Sequence, residues 1–260
     1  MLLNLLIALN SKNHPNLFET YADPSFNTNE LSSNLSSFLQ GFYQKNYPDL
    51  ITLKGIQSIQ LTGDYYINDE LSGTIKVIKK RPNKYKSHIK TKLGLEQIII
   101  FDGEELKQGE RTEKSKPIKW SNLDLMDKEN FWITYDKYFD SLLVNPNDPN
   151  KSFKLLKAFE ENKILVQPIE IEHQEGYKIT YNIKAKDKLI ISSKIEIGEP
   201  LDPNYNTYSL EYTHYKKIEG IQFPRIITSK INNGPVFRFN FNQIKLNSGI
   251  SNFIFELKEL

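Results

Sequence analysis

Four histidines are the residues best suited to catalysis or metal binding, and their spacing argues against both roles. They stand at His14, His88, His173 and His214, and none has a second histidine two or four positions away. His173 has Glu175 two residues on, but two ligands leave a zinc site incomplete. The histidines are therefore interpreted as structural or surface residues, and the sequence predicts no metal site.

Nucleophiles and phosphate-binding loops give no stronger signal. The chain has no cysteine, which excludes disulfides, thiolate metal sites and cysteine nucleophiles. It contains no Gly-x-Ser-x-Gly segment and no glycine-rich phosphate loop. The paired acids Glu104-Glu105 and Glu160-Glu161 are typical of solvated turns and helix ends. The sequence therefore predicts a protein that is not an enzyme and needs no cofactor.

A lysine-rich segment carries the strongest charge signal. Around the aromatic Tyr85 it contains Lys76, Lys79, Lys80, Arg81, Lys84, Lys86, Lys90 and Lys92. Such a segment could bind nucleic acid, anionic lipid or an acidic protein, but it is also typical of a charged outer sheet face that resists edge pairing. The whole chain has 34 basic and 32 acidic residues, so its net charge is only +2. We expect a charged outer face and no nucleic-acid partner.

The elements that would position any site are mainly strands. From Gly55 onward apolar residues recur at every second position, separated by turn signals such as Asp102-Gly103 and Asn233-Gly234. About ten or eleven strands result, split by a helical insert, with a closing strand at Phe253, Phe255 and Leu257. The pattern predicts a mainly β (α+β) fold: one curved antiparallel sheet forming an incomplete barrel, with helices covering its concave face.

The first 50 residues are predicted to form an N-terminal extension. Its first ten residues are apolar and resemble a signal-peptide remnant, although the face of a short helix is the alternative. One amphipathic helix is predicted from Leu31, Leu35, Phe38, Leu39 and Phe42. No segment is apolar over enough residues to span a bilayer, so we expect the mature protein to be soluble.

Residues 51–260 are predicted to form one domain with a helical insert near 121–161. One helix is indicated by an apolar stripe at helical spacing, made of Phe131, Tyr135, Tyr138 and Leu142. A second, shorter helix is predicted over Ser152 to Glu161. The stripe and the N-terminal helix are the available covers for the inner face of the sheet.

The phase of the alternation predicts which side chains face inward. Together with the stripe, they are expected to line a site for an apolar ligand. The expected ligand-binding residues are Leu61, Tyr65, Ile75, Val77, Phe131, Tyr135, Tyr181, Ile183, Tyr212, Phe239 and Phe241. The competing interpretation is an ordinary filled core.

Four stretches, taken in order, resemble one known family. They are Gly55-Ile-Gln-Ser-Ile-Gln-Leu-Thr-Gly63, Tyr85–Lys90 followed by Glu96–Leu106, Gly176–Ile179, and Tyr215-Lys-Lys-Ile-Glu-Gly-Ile-Gln-Phe-Pro-Arg-Ile226. In order and spacing they are similar to the LolA-like family of periplasmic lipoprotein carriers, which includes the lipoprotein receptor LolB and the stress sensor RseB. The resemblance covers residues 55 to 245.

The resemblance implies an eleven-stranded incomplete barrel with helical lids, whose concave face holds a lipid or a lipoprotein acyl chain. It also implies an exported, periplasmic protein, which we expect to be a monomer with a possible envelope protein partner. The alternative is an envelope sensor or protein-interaction scaffold without a ligand cavity. Where the family often has a tryptophan this chain has Leu106-Lys107, and Arg225 and Arg238 match the family's gating arginine by type only. Because the sequence contains no cysteine, we do not expect an acylated receptor of the LolB kind.

Overall fold

The fold is mainly β, as the sequence predicts. The structure is a computed structural model that describes residues 33–46, 56–81, 84–113, 115–122, 151–173, 177–198, 200–201 and 205–256. Fourteen strands, numbered in chain order, belong to one antiparallel sheet, and β6 and β7 stand at the two ends of its order. The prediction of one open antiparallel sheet is confirmed. The chain divides into two compact units.

The first unit contains seven strands in the order β6-β5-β4-β3-β2-β1-β14. Their bounds are β1 Ser58–Ile67, β2 Glu70–Lys80, β3 Lys84–Thr91, β4 Glu96–Phe101, β5 Leu106–Arg111, β6 Lys119–Asn122 and β14 Val236–Leu246. Short turns join neighbours along the chain: Asn68 and Asp69 both have positive φ, as a tight hairpin turn requires. The predicted meander of the first five strands is therefore confirmed.

Gly63 allows two strands of this unit to approach closely. The pairing of β1 with β14 shifts register between Thr62 and Gly63, which marks an irregularity in the ladder. A Cβ atom at Gly63 would lie 2.0 Å from the carbonyl oxygen of Asn240. Only glycine fits here without moving the backbone of β14.

The predicted closing strand at Phe253, Phe255 and Leu257 is wrong over its described part. Residues Asn252–Phe255 form a 3-10 helix, and the hydroxyl of Ser251 accepts a hydrogen bond from the Phe253 amide. Phe255 has no exposed surface and packs against isoleucines of β2 and β4. Three alternating residues indicate a strand only weakly, and burial of Phe255 among those isoleucines decides the conformation instead.

The second unit contains one helix and seven strands. Their bounds are α1 Ser33–Asn46, β7 Lys151–Leu155, β8 Phe159–Glu161, β9 Ile164–His173, β10 Tyr177–Lys184, β11 Ile190–Ile197, β12 Asn206–Ile218 and β13 Ile221–Ile231. The strand order is β13-β12-β11-β10-β9-β7, with β8 also paired to β9. The predicted strands from β9 to β13 are all present.

Helix α1 confirms the predicted amphipathic helix within the described residues. Leu35, Leu39 and Phe42 lie one turn apart and are buried. The helix continues through Gly41, where a Cβ atom would meet the Lys188 side chain at 3.5 Å. Asn46 holds the last turn by donating to the backbone carbonyl of Lys188, at 2.8 Å.

The prediction of a second helix over residues 152 to 161 is wrong. This segment lies in β7 and β8, both of which pair with β9; Phe153 is opposite Ile171 and Leu155 is opposite Ile169. Its apolar residues fit helical spacing, but Phe153 and Leu155 fit strand spacing equally well. Pairing with β9 determines that the segment forms strands. With β6, these strands raise the count above the predicted ten or eleven. The stripe from Phe131 to Leu142 lies outside the described residues.

Candidate apolar binding faces

One face of the first unit carries a row of buried, mainly apolar side chains. Directly opposite residues in an antiparallel pair share a face, so Leu61 of β1 lies beside Val77 of β2. Gly63 lies between Ile75 of β2 and Phe241 of β14. The side chains of Leu61, Ile75, Val77 and Phe241 are each at most 3% exposed.

An aromatic stack continues this face. Tyr65 lies between Phe237 and Phe239, with ring centroids 6.2 and 5.6 Å apart. Phe239 in turn stacks on Phe241 at 6.4 Å with an interplanar angle of 10°. Burial raises the pKa of Tyr65 to about 12, so its hydroxyl is uncharged at neutral pH. The stack therefore presents parallel, uncharged rings along one line.

The second unit has an apolar face of its own. One row across it joins Ile171, Ile179, Ile195 and Tyr208 on four successive strands. The next row joins Ile169, Tyr181, Ser193 and Leu210. All of these side chains are buried. The regular alternation in β10 and β12 places every second side chain on this face.

A hydroxyl pair is set into this second apolar face. The side-chain oxygens of Ser193 and Tyr212 lie 3.0 Å apart, and both residues are buried. Buried hydroxyls cost free energy unless they are hydrogen-bonded, and this pair satisfies at least one donor and one acceptor. This face is therefore apolar except for uncharged hydroxyl groups.

Every described residue expected to bind ligand is buried. Nine of the eleven fall in the described range, and their exposure runs from 0% to 7%: Leu61, Tyr65, Ile75, Val77, Tyr181, Ile183, Tyr212, Phe239 and Phe241. Burial confirms the phase of the alternation. The structure divides them between the two units, with Tyr181, Ile183 and Tyr212 in the second. Phe131 and Tyr135 lie outside the described residues, and a role in ligand binding stays a prediction for all eleven.

The opposite face of the first unit explains much of the lysine-rich segment. Lys80 donates to the backbone carbonyl of Ile250 at 2.5 Å, and Lys86 donates to that of Ile254 at 3.1 Å. Tyr85 is buried on the apolar side, where it cannot serve as an aromatic contact for an external partner. Through these hydrogen bonds the two lysines fix the C-terminal segment to the sheet. This structural role was not predicted from the sequence.

A buried carboxylate on that same face is the main feature that the sequence interpretation missed. Glu96 is 4% exposed. Its carboxylate accepts from Arg111 at 2.8 Å and from the His88 Nε2 at 3.0 Å, and Lys90 lies 3.3 Å away. Lys90 and Arg111 stand directly opposite Glu96 on β3 and β5. Opposite charges at paired hairpin positions were the available signal.

The electrostatics of this cluster favour a charged Glu96 and a neutral His88. Burial by itself raises the pKa of the Glu96 carboxyl, but hydrogen bonds from Arg111, His88 and Lys90 outweigh burial and lower this pKa to about 2. Burial, together with the positive charges of Lys90 and Lys86, lowers the pKa of His88 despite the opposing effect of Glu96. The neutral imidazole therefore carries its proton on Nε2, which donates to the carboxylate.

Arg238, a gating-arginine candidate by type, lies away from the apolar face. It alternates with Phe237 and Phe239 on β14 and stacks over the Tyr66 ring at 4.3 Å. Its guanidinium lies 3.4 Å from the Asp69 carboxylate. This position on the polar side of the strand gives it no contact with the aromatic stack.

The described residues contain no group of three or more His, Cys, Asp or Glu side chains that could hold a metal ion. No helix within the described ranges is long and apolar enough to cross a membrane.

The chain is similar to solved structures of one fold. A DUF1329 family protein from Desulfovibrio piger matches with a TM-score of 0.52 at 10% identity, over 84% of this chain and 97% of that one. A LolA superfamily protein from Nitrosomonas europaea matches with 0.51 at 13% identity, over 85% and 97%. A domain named for outer membrane lipoprotein sorting, from Vibrio parahaemolyticus, matches with 0.50 at 12% identity, over 84% and 94%.

These similarities confirm the family resemblance at the level of the fold. No family model and no curated protein matches the chain. The fold is LolA-like.

Proposed function

We propose that this LolA-like chain is a non-enzymatic binding protein or carrier for a lipid, a lipoprotein acyl chain or another apolar ligand. We place it in the periplasm of the bacterial envelope, as a monomer. The proposed ligand-binding residues are the nine buried ones of the described range, with Phe131 and Tyr135 as further candidates. The observation that carries the proposal is the set of buried, mainly apolar side chains that lie side by side on successive strands in each unit.

The apolar faces of the two units are chemically suited to binding hydrocarbon chains. Each methylene group that leaves water is worth about 0.8 kcal/mol, so a long acyl chain binds through area rather than through directed contacts. The aromatic stack from Phe237 to Phe241 adds large apolar rings against which such a chain can pack. The few polar groups on the second unit's face are neutral hydroxyls.

The name of one structural neighbour supports the ligand class. The Vibrio parahaemolyticus domain is named for outer membrane lipoprotein sorting. That function is extended to this chain as a proposal, because the shared property is the fold. An envelope location follows from the same reasoning.

A neutral fluorescent hydrocarbon, diphenylhexatriene, tests the proposal. The delipidated full-length protein is expected to bind it saturably, with enhanced fluorescence and a defined stoichiometry, because a dry apolar site excludes water from the probe. Unlabelled phospholipid should displace it. Titration of an unrelated β protein of similar size controls for adsorption to surfaces.

A filled core gives the opposite result. Without room between the buried side chains, fluorescence should rise only linearly with probe and no lipid should compete. That outcome would favour the alternative function, that of an envelope sensor or protein-interaction scaffold without a ligand cavity.

A further inference from the structure

The outer face of the first unit, which is the sheet face opposite the aromatic stack, is strongly basic. Residues opposite each other in antiparallel strands share a face, so the pairing assigns its members. Among the described strand residues of this face, the acidic ones are Asp64 and Glu96. The basic ones are Lys76, Lys80, Lys84, Lys86, Lys90, Lys107, Arg111, Arg238 and Lys245. This face therefore carries far more positive charge than the chain as a whole, whose net charge is +2.

Ion pairs neutralise only part of this charge. The pairs that involve this face are Lys90–Glu96, Arg111–Glu96, Lys107–Glu105 and Arg238–Asp69. The other lysines of the face form no ion pair with a described residue, and together they make up the lysine patch: Lys76, Lys80, Lys84, Lys86 and Lys245. Lys80, Lys84 and Lys86 donate to backbone carbonyl oxygens, which accept hydrogen bonds but carry no net charge. The positive charge of the patch is therefore not compensated by these contacts.

The lysine patch brings like charges close together. Lys80 and Lys84 stand directly opposite each other on β2 and β3, an arrangement that is destabilising for like charges. Lys76 is opposite His88, two residues along β3 from Lys86. Burial lowers the pKa of Lys86, and the positive charge of Lys76 lowers it further. Negative charge placed against the patch would relieve this repulsion.

An exposed aromatic side chain belongs to the segment that the patch holds. Phe253 lies in the C-terminal 3-10 helix and is 55% exposed. Lys80 and Lys86 donate to the carbonyls of Ile250 and Ile254, which precede and follow Phe253 in the chain. Lysines combined with an exposed aromatic ring are typical of surfaces that bind the interface of an anionic bilayer.

We propose that the outer face of the first unit docks on a bilayer surface rich in anionic phospholipid, with the lysine patch against the phosphates and Phe253 in the headgroup region. This function goes beyond ligand binding and does not depend on a cavity. Charge complementarity identifies the partner, because the patch is spread over β2, β3 and β14. Its members are lysines, which act as point charges, whereas the arginines of the face, suited to bidentate recognition of one carboxylate, are already paired. Mobile phosphate headgroups match such a dispersed set of charges better than a folded acidic protein does.

Cosedimentation of the full-length protein with vesicles tests the docking surface. The protein should pellet with vesicles of phosphatidylglycerol mixed with phosphatidylcholine and stay in solution with vesicles of phosphatidylcholine alone. Added salt should release it, because salt screens charges at a surface. A protein that only extracts single lipid molecules remains in the supernatant, so the assay separates docking from the proposed ligand binding.

Matched double substitutions test whether the outer face is responsible. Lys76 and Lys245 are exposed, and the variant with Lys76→Gln and Lys245→Gln should bind the mixed vesicles roughly 25-fold more weakly, since each lysine near an anionic surface contributes about fivefold. The control with Lys216→Gln and Lys217→Gln removes the same charge from exposed positions of the second unit and should bind as the wild type does. Phe253→Ala should weaken binding several-fold and leave its salt dependence unchanged.

The variants must first be shown to be folded by circular dichroism, and their binding of diphenylhexatriene should match that of the wild type. Equal binding to both kinds of vesicle, or an equal loss in the two double variants, would overturn the docking surface while leaving the proposed ligand binding untouched. Binding to soluble polyglutamate without binding to the mixed vesicles would also overturn it, in favour of an acidic protein partner.

Discussion

Replacing Ile183 with aspartate is expected to abolish binding of diphenylhexatriene. Ile183 is fully buried on β10, in the apolar face of the second unit. An unpaired carboxylate there either stays charged in an apolar site or must take up a proton, and both are unfavourable. Affinity should fall by more than about tenfold, which corresponds to a loss above about 1.4 kcal/mol.

Two further variants separate loss of binding from loss of folding. Asn182→Asp adds the same charge at the neighbouring position on the other face, where Asn182 donates to the Ser192 hydroxyl at 2.9 Å, and it should bind nearly as the wild type does. Because Ile183→Asp also costs stability, circular dichroism must first show that it is folded. Ile183→Thr is the milder change for the case in which it is not, with an expected loss of a few fold. Wild-type affinity in a folded Ile183→Asp protein would contradict the proposed site.

Replacing Glu96 with leucine is expected to lower the free energy of unfolding by about 3 to 5 kcal/mol. The change removes the buried carboxylate that accepts from Arg111 and His88, and it leaves the guanidinium of Arg111 without its counter-ion. Glu96→Gln keeps the shape and should cost about 1.5 to 3 kcal/mol. Urea unfolding followed by circular dichroism measures both. The exposed Glu110, one strand away, provides the control Glu110→Gln, which should change stability by less than about 0.5 kcal/mol.

The same cluster predicts how acid destabilises the protein. Glu96 has a lower pKa when folded, about 2 against an ordinary 4.5, so the unfolded chain takes up the proton first. The stabilisation from its charge is complete above pH 4.5 and is lost as the pH falls toward 2. The stability difference between the wild type and Glu96→Gln should therefore shrink over that interval. A difference that stays constant down to pH 2 would show that the carboxylate is not held charged by its partners.

Long alternating segments could be predicted from the sequence because strand periodicity also fixes the face on which a side chain lies. In β10, Tyr181 and Ile183 face inward as their phase requires. The same reasoning failed at Phe153 and at Phe255, where three or four apolar residues fit more than one periodicity. There the outcome depends on partners far away in the chain, namely β9 for Phe153 and the isoleucine cluster for Phe255.

The charged groups of the first unit were harder to predict for a related reason. Glu96 is the first residue of an apolar strand, a position at which a charged side chain is usually solvated. Pairing with β3 and β5 instead places cationic side chains around it. The lysine-rich segment reads as an outer face, and only the path of the C-terminal segment shows that Lys80 and Lys86 bind its carbonyls.

The most direct test of a lipid-binding role is native mass spectrometry of the full-length protein, produced in a bacterial periplasm and purified without detergent. A lipid-binding protein should show a second species that is heavier than the bare chain by the mass of one or more lipids. Organic extraction should remove these lipids and allow them to be identified. Folded Ile183→Asp protein, prepared in parallel, should show only the bare mass. A wild-type protein that carries no lipid, and that takes up none when phospholipid is added back, would contradict the proposed lipid-binding role.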